Sequence, residues 1–541
     1  MEVMFDRDEI KHLTEAAVFG AKRKASGRDG VVVSSHPIVS HVALNVLREG
    51  GNAVDAALAA ALAQTVVEPH MTTAFGVLSM MHYDKATGAT QYINGSMNAP
   101  LAGLPGFSAS DVATGRSVAV PGFWAAWEAS RTRYGSKSRD TLAAPAIELA
   151  RTGFPIYPFL YGMMFEQVAK IGLTDEGRRI YFRDNCLRGP GEQLVNHALA
   201  NTLERMAADG VDYFYRSAFT EKVVDTVKRA GGVLTMQDFD RYEVRWMEPA
   251  WGKYRDYRIA GSPPPDNGGT HIIEILNLVE RIPLKQWGMP TDSADTMYWL
   301  ARFCLEVFAD GAGQGDPNSW PLPLETIVSK DYAAMRFELM RMREPKRLDP
   351  AKTPYPGSNH LTIVDRAGNI ATVLHSVMSS AWSNGLIVDG MNLWAGGVHF
   401  FRNMPRPGDR GTCYVAPHII FGADGKPVLA AGSPSVGLIP NCVTNALNIL
   451  DFGMDIETSV HQPRIGGPTY GPDSLAPDAF SLEIDCGTPA IHAGVRARGL
   501  QMNLVNPWNF HSGSYEGVHI DADGVASACA DPRRTGMAVA A

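Results

Sequence analysis

Two β-prone runs, Leu361 to Val364 and Ile370 to Leu374, stand either side of Asp365-Arg366-Ala367-Gly368-Asn369, and they constrain the chain more than any other feature. Gly and Asn supply the positive φ that a tight turn needs, so the stretch predicts a β-hairpin. Folding it symmetrically about Ala367 sets every pairing: His360 opposes Leu374, and Ser358 opposes Ser376. Two hydroxyls then face each other at the open end. Ser358 follows a glycine, begins a strand and has a histidine two residues on, which makes it a candidate nucleophile. Gly357-Ser358-Asn359 is equally an ordinary loop sequence before a strand, so pattern alone gives the hydroxyl no chemical role.

Around this hairpin the chain divides by character. Before it, Gly30 to Val33 reads as a buried strand, and Val39, Val42, Ala43, Val46 and Leu47 recur at helical spacing. Gly50-Gly51 ends that helix, and Asn52 with Asp55 resembles a capping box for an Ala-rich helix over 53–64. Val77 to Tyr83 and Gln91 to Asn94 predict a hairpin. From Pro121 the pattern turns helical, over 123–133, 140–151, 198–208, 220–230 and 236–242, then 272–279, 293–309 and 330–342 after a strand at 257–260. Glu344 to Gly357, with its prolines and charges, predicts an exposed connector. After Ser358 the chain is mostly sheet, with further Asp-and-Gly turns at 423–426 and 521–524 and helices only at 443–450 and 456–461. Neither part carries a complete alternation, which predicts one sheet system shared between them.

Composition narrows the function classes. A formal charge of -8 with no basic stripe argues against a nucleic-acid partner. The most apolar run, Ala53 to Val67, is too short for a membrane span and contains Asp55 and Gln64. Six cysteines far apart, with no C-x-x-C pair, fit neither a zinc site nor a disulfide framework. His36 and His41 lack acidic or further histidine partners, so neither a metal nor another cofactor is expected. The N-terminal residues show no basic segment followed by an apolar core, and a cytoplasmic protein acting on a small molecule is the expectation.

Several short stretches then point one way. Ser35-His36-Pro37, Gly50 to Ala57, Val67-Glu68-Pro69-His70, Val120-Pro121-Gly122, Pro263-Pro264-Pro265 with Gly268-Gly269, Gly432-Ser433-Pro434 and Ala530-Asp531-Pro532-Arg533 occur in this order. Together they resemble the γ-glutamyltransferase family of N-terminal-nucleophile hydrolases nearly end to end. The resemblance implies an α+β fold, a four-layer αββα sandwich, and a precursor that cuts itself between Gly357 and Ser358. The products would be a helix-rich large segment, 1–357, and a sheet-rich small segment, 358–541, that stay together as one unit. In the family a Thr stands at the position of Ser358, and the α-amino group freed by cleavage serves as its base; such an amine titrates near neutrality. Ser376 matches a Thr that contacts the nucleophile. Ser435 and Val436 match the Gly-Gly pair whose N–H groups form the oxyanion hole.

The residues that would grip a γ-glutamyl group are changed. Ser96 stands for the Arg that binds the α-carboxylate, within a run that also holds Asn98. Met378 stands for its Asn partner, Val398 and His399 for the acidic pair, and Cys413 and Tyr414 for the paired serines. Asn359 and His360 match the two residues after the nucleophile. Loss of the bidentate Arg and the carboxylates argues against glutathione. The connection from Phe400 to Cys413 is short where the family has a lid, which implies an open site that favours hydrolysis over transfer. His399 stands where a ligand contact is expected, whereas His375 could be packed or exposed, and Trp382 and Trp394 could line a pocket or the core.

The resemblance therefore implies a hydrolase that cleaves a small non-glutamyl amide or acyl bond through an acyl-enzyme on Ser358. Two alternatives stay open: cleavage of a C–C bond next to a carbonyl, and an uncut pseudoenzyme or binding protein. Partners expected are a small-molecule substrate and the chain's own two segments; homo-oligomer formation is left open.

Overall fold

The computed structural model describes residues 6–311, 314–346, 357–401, 403–468 and 479–541. Most of the predicted connector before Gly357 lies outside them. Two seven-stranded sheets dominate. The first runs, in spatial order, Met537–Ala540, Gly30–Ser34, Ser358–Asp365, Ile370–Ser376, Val77–Tyr83, Thr90–Gly95 and Arg245–Met247, all antiparallel. The second runs Lys24–Gly27, Ala526–Cys529, Gly517–Ile520, Pro427–Ala431, His418–Phe421, Tyr257–Gly261 and Ala250–Tyr254. Both sheets contain strands from before and after residue 358, so the two parts of the chain share one sheet system.

The sheets face each other across a core that includes Val31, Val33, Met81, Tyr83, Ile419 and Val518. Helices cover each outer face. On the first sheet lie Pro37–Arg48 and Ala53–Val67, with Phe123–Tyr134 and Arg139–Thr152 around them. On the second lie Gly268–Val279, Ala294–Gly311 and Leu438–Leu450. The result is the αββα sandwich.

The predicted hairpin is the middle of the first sheet, which is why its two strands bury both faces and read as near-continuous apolar runs. Its register is the one that symmetry about Ala367 requires, Ser358 with Ser376 and His360 with Leu374. Leu361 and Ile363 point into the helix layer. His360 and Thr362 point between the sheets, where Thr362 Oγ1 donates to the Glu516 carbonyl at 2.8 Å. The turn also fixes a helix: Asp365 Oδ2 accepts the Ala53 N–H at 3.0 Å, at the start of the Ala-rich segment. That helix is buried on every side, a setting that only a run of small residues fits. Its Asn52–Asp55 capping box is formed, and Asp55 further accepts from Ser136 and Lys137.

Helices at Pro158–Glu166, Asp175–Tyr181 and Pro489–Arg496 were not signalled by the pattern. They are short or carry weak periodicity. The helix expected over 443–450 starts at Leu438, because Pro440 sits in the first turn, where no intrahelical N–H is needed.

Candidate active site

At the open end of the hairpin, Ser358 Oγ and Ser376 Oγ lie 2.8 Å apart. Ser376 Oγ also donates to the Gly357 carbonyl oxygen and accepts the Met378 N–H at 2.7 Å. A hydroxyl has one proton and two lone pairs, so with its proton on Gly357 O it accepts from Ser358. The Ser358 proton thus points at Ser376, leaving the Ser358 lone pairs open. Gly357 O, the oxygen on which charge would develop if the Gly357–Ser358 peptide were attacked, is already in a hydrogen bond. An added Cβ at Gly357 would lie 2.0 Å from the Ser379 carbonyl oxygen, so the close approach of this segment depends on glycine.

Ser435 and Val436 face this centre across a narrow pocket. Ser435 has φ +80, a left-handed conformation, whereas Val436 keeps an ordinary φ. The β-branched side chain is thereby spared the strain that its place in a Gly-Gly position suggested. The segment is tied down by Ser435 Oγ on Phe510 O at 3.3 Å and by the Gly437 N–H on His511 O at 3.1 Å. Among the described residues neither the Ser435 nor the Val436 N–H is taken by a protein acceptor, so both donors are available.

Arg534, absent from the sequence-based candidates, lies on the helix side of Ser358. It is 1% exposed, and it donates to Ser358 O at 3.3 Å, to Asn359 Oδ1 at 2.7 Å and to Glu68 Oε1 at 3.2 Å. Its guanidinium stacks against Phe159 and Phe510, the residue that anchors Ser435. From Glu68 the network continues: Gln64 Nε2 donates to Glu68 at 2.6 Å, and Gln64 Oε1 is 2.9 Å from His375 Nε2. The amide oxygen can only accept, so His375 carries its proton on Nε2 and takes the Thr72 hydroxyl on Nδ1. Burial pushes His375 down to about 3 and pushes Glu68 up, against the pull of Arg534. Both ring nitrogens of His375 are thus taken up by Thr72 and Gln64. Glu68 and the Asp531-Pro532-Arg533 run next to Arg534 are among the quoted motifs, but nothing local marks which of these charges reaches Ser358.

Of the candidate substrate-binding residues, Met378, His399 and Tyr414 line the pocket and the others do not. Strand alternation turns Asn359 toward Arg534 and away from the pocket. His360 is buried one pair deeper, bonded to Thr372 Oγ1 at 2.8 Å and packed where a Cβ on Gly432 would touch its ring. Asn98 serves through its backbone, bridging Val120 and Arg410. Ser96 and Cys413 are fully buried and contact one another, Oγ to Sγ 2.9 Å. The two positions that the resemblance assigns to carboxylate binding are thus closed on each other, and burial pushes the Cys413 thiol well above its ordinary range. Nearby Arg410, also buried, spends its guanidinium on the Ser96 carbonyl, Tyr242 OH and the Glu243 carbonyl.

Among the described residues, the open site that the short connection implies is not found at this centre: the pocket beside Ser358 has a volume of only ≈ 30 Å³, with Met378, Tyr414 and Leu438 among its lining residues. Trp382 and Trp394 are core residues, their indole N–H groups bonded to Tyr181 OH and Ala119 O. His36 caps the Pro37–Arg48 helix by accepting the Ile38 N–H.

Residues 39–541 match the family model described as gamma-glutamyltranspeptidase. The chain is 29% identical to the glutathione hydrolase proenzyme of Bacillus subtilis (strain 168), over 81% of each chain. It is 27% identical to the acylase ACY 1 proenzyme of Pseudomonas sp. (strain SE83), over 90% of this chain and 91% of that one. The crystal structure of cephalosporin acylase from Bacillus halodurans superposes with a TM-score of 0.82 at 24% identity, covering 96% of this chain and 97% of that one, which is a likeness of fold.

Proposed function

Because the chain belongs to the γ-glutamyltranspeptidase family, we propose that it is a self-cleaving hydrolase whose nucleophile is Ser358 and whose substrates are amides without a γ-glutamyl head group. In the first reaction Ser358 Oγ attacks the Gly357 carbonyl carbon, and the C–N bond to Ser358 breaks. The hydroxyl proton passes by way of Ser376 to the departing nitrogen. The product is an ester between Gly357 and Ser358 Oγ. Water hydrolyses it to a Gly357 carboxylate, a restored hydroxyl and a free α-amine on Ser358.

In the second reaction that amine takes the Ser358 proton as Oγ attacks the substrate carbonyl. The proton goes to the leaving amine, an acyl-enzyme remains, and water releases the acid. An α-amine has an ordinary pKa of about 7.7–8.0, which suits this exchange at neutral pH. Ser435 and Val436 N–H would receive the oxyanion.

The observation that carries this reading is Ser376 Oγ, which bonds both the scissile carbonyl oxygen and the nucleophile. Intact-mass measurement and denaturing electrophoresis test it. Two fragments split at 357/358 are expected from the wild type and one uncut chain from Ser358→Ala; a wild-type chain that stays whole would sink the reading. Glutathione is expected to be a poor substrate, because the Ser96–Cys413 contact fills the place of its head-group contacts.

A further inference from the structure

The apolar walls of the pocket next to Ser358 are Leu374, Met378, Val415, Val436 and Leu438; His399 and Tyr414 also line it, and no Lys, Arg, Asp or Glu does. These walls sit on fixed elements: Leu374 in the central hairpin, Leu438 at the start of a buried helix and Val436 in the anchored oxyanion segment. Gly357, itself one of the lining residues, supplies the acyl carbonyl of the first reaction, and its departure after cleavage frees that acyl position between these walls. The Ser96 and Cys413 side chains are closed on each other, and both terminal guanidinium nitrogens of the buried Arg410 are spent on the Ser96 and Glu243 carbonyls and Tyr242 OH. A carboxylate or ammonium in this pocket would lose its hydration with no Lys, Arg, Asp or Glu among the lining residues to replace it.

We infer that the site takes a short, apolar, uncharged acyl group of about two to four carbons, the size a cavity of two or so waters admits, and releases it from an amide. The inference rests on the reading of Ser358 as nucleophile, and it adds the acyl class that reading leaves open. Selectivity follows from two separate features. Charge is rejected by the absence of a counter-ion, and length is limited by Met378 and Leu438. Met378 holds φ +53, a conformation glycine adopts freely, so Met378→Gly deletes one wall without backbone strain.

The test uses the purified, self-cleaved protein and p-nitroanilides of acetic, butyric, octanoic and glutaric acids and of γ-glutamate. Acetyl and butyryl anilides are expected to show kcat/KM at least about 100-fold above the glutaryl and γ-glutamyl ones, as befits a charge left without a partner. Met378→Gly is expected to raise the octanoyl-to-butyryl ratio at least about 10-fold, the scale of a few methylenes newly accommodated. That ratio does not depend on how much of the variant folds, and Leu438→Ala repeats the measurement from another wall. Cleaved protein that turns over the charged anilides equally well, or none of the anilides, overturns this inference and leaves the self-cleaving reading intact. An unchanged length preference in both variants overturns it as well. Wild-type protein that never cleaves removes both.

Discussion

Arg534 donates to the backbone carbonyl of Ser358 at 3.3 Å, from a point 176 residues further along the chain. The same guanidinium holds Asn359 and stacks on Phe510, so one buried cation ties Ser358 to the segment that Ser435 anchors on Phe510. Removing it alone strands Glu68, and breaking a buried pair costs about 3–5 kcal/mol. The informative variant is therefore Arg534→Met with Glu68→Gln, which removes both charges. Self-cleavage slows by at least about 10-fold, as expected for lost positioning, while Arg534→Lys stays within a few-fold of the wild type. Time courses on denaturing gels, with urea midpoints as a check on folding, measure this; wild-type kinetics in the double variant would refute it.

Ser376→Ala removes the donor to Gly357 O and the acceptor for Ser358. Loss of one oxyanion donor costs about 10²–10³ in rate, and self-cleavage is expected to fall by that factor. Ser376→Thr keeps the hydroxyl, and β-branching suits a central strand, so it cleaves at close to the wild-type rate. Fragment yield against time separates the two.

Gly357→Ala places a methyl 2.0 Å from Ser379 O, and the scissile carbonyl must move to relieve it. A displacement of about 1 Å at a reacting centre costs on the order of 100-fold, so the variant is expected to accumulate uncut chain. Mass spectrometry over hours gives the answer. Cleavage at the ordinary rate would show that the carbonyl position matters less than its contacts suggest.

Asp266 is a buried carboxyl that accepts from Ser79, Tyr92 and Asn94 on one oxygen, and burial pushes it up from 3.8 to about 6. A carboxyl whose folded value is raised contributes stability in full below its unfolded value and loses it as pH rises through the folded one. Asp266→Asn lacks this dependence. Its stability relative to wild type is therefore expected to rise between about pH 4 and 6, by up to roughly 3 kcal/mol at 1.36 kcal/mol per unit. Urea denaturation at a series of pH values reads the slope; a flat or falling difference would count against it.

Much of the frame was legible in local pattern. The Asp365–Asn369 turn and its flanking strands carry their own register, so Ser358 opposite Ser376 followed from counting. The Asn52–Asp55 capping box and the Gly368 turn, at φ +88, are written in neighbouring residues for the same reason. The missed helices at Pro158–Glu166 and Pro489–Arg496 are short, and a few residues of periodicity do not separate a helix from a loop.

By itself the sequence determined which hydroxyl starts the central hairpin and which hydroxyl faces it, and the resemblance marked positions such as Ser96 and Cys413 as changed from the family pattern. Whether the changed positions leave a hole or close it was decided by tertiary structure, which brings Ser96 against Cys413, 317 residues away. It also chose Arg534, rather than its neighbour Arg533, to reach Ser358; Arg533 is spent on Glu483 and Asp531. The physical reason is range. Backbone periodicity and turn chemistry act over a few residues, but a buried charge must find its partner wherever the order of the strands sets one down, and no local pattern encodes that order.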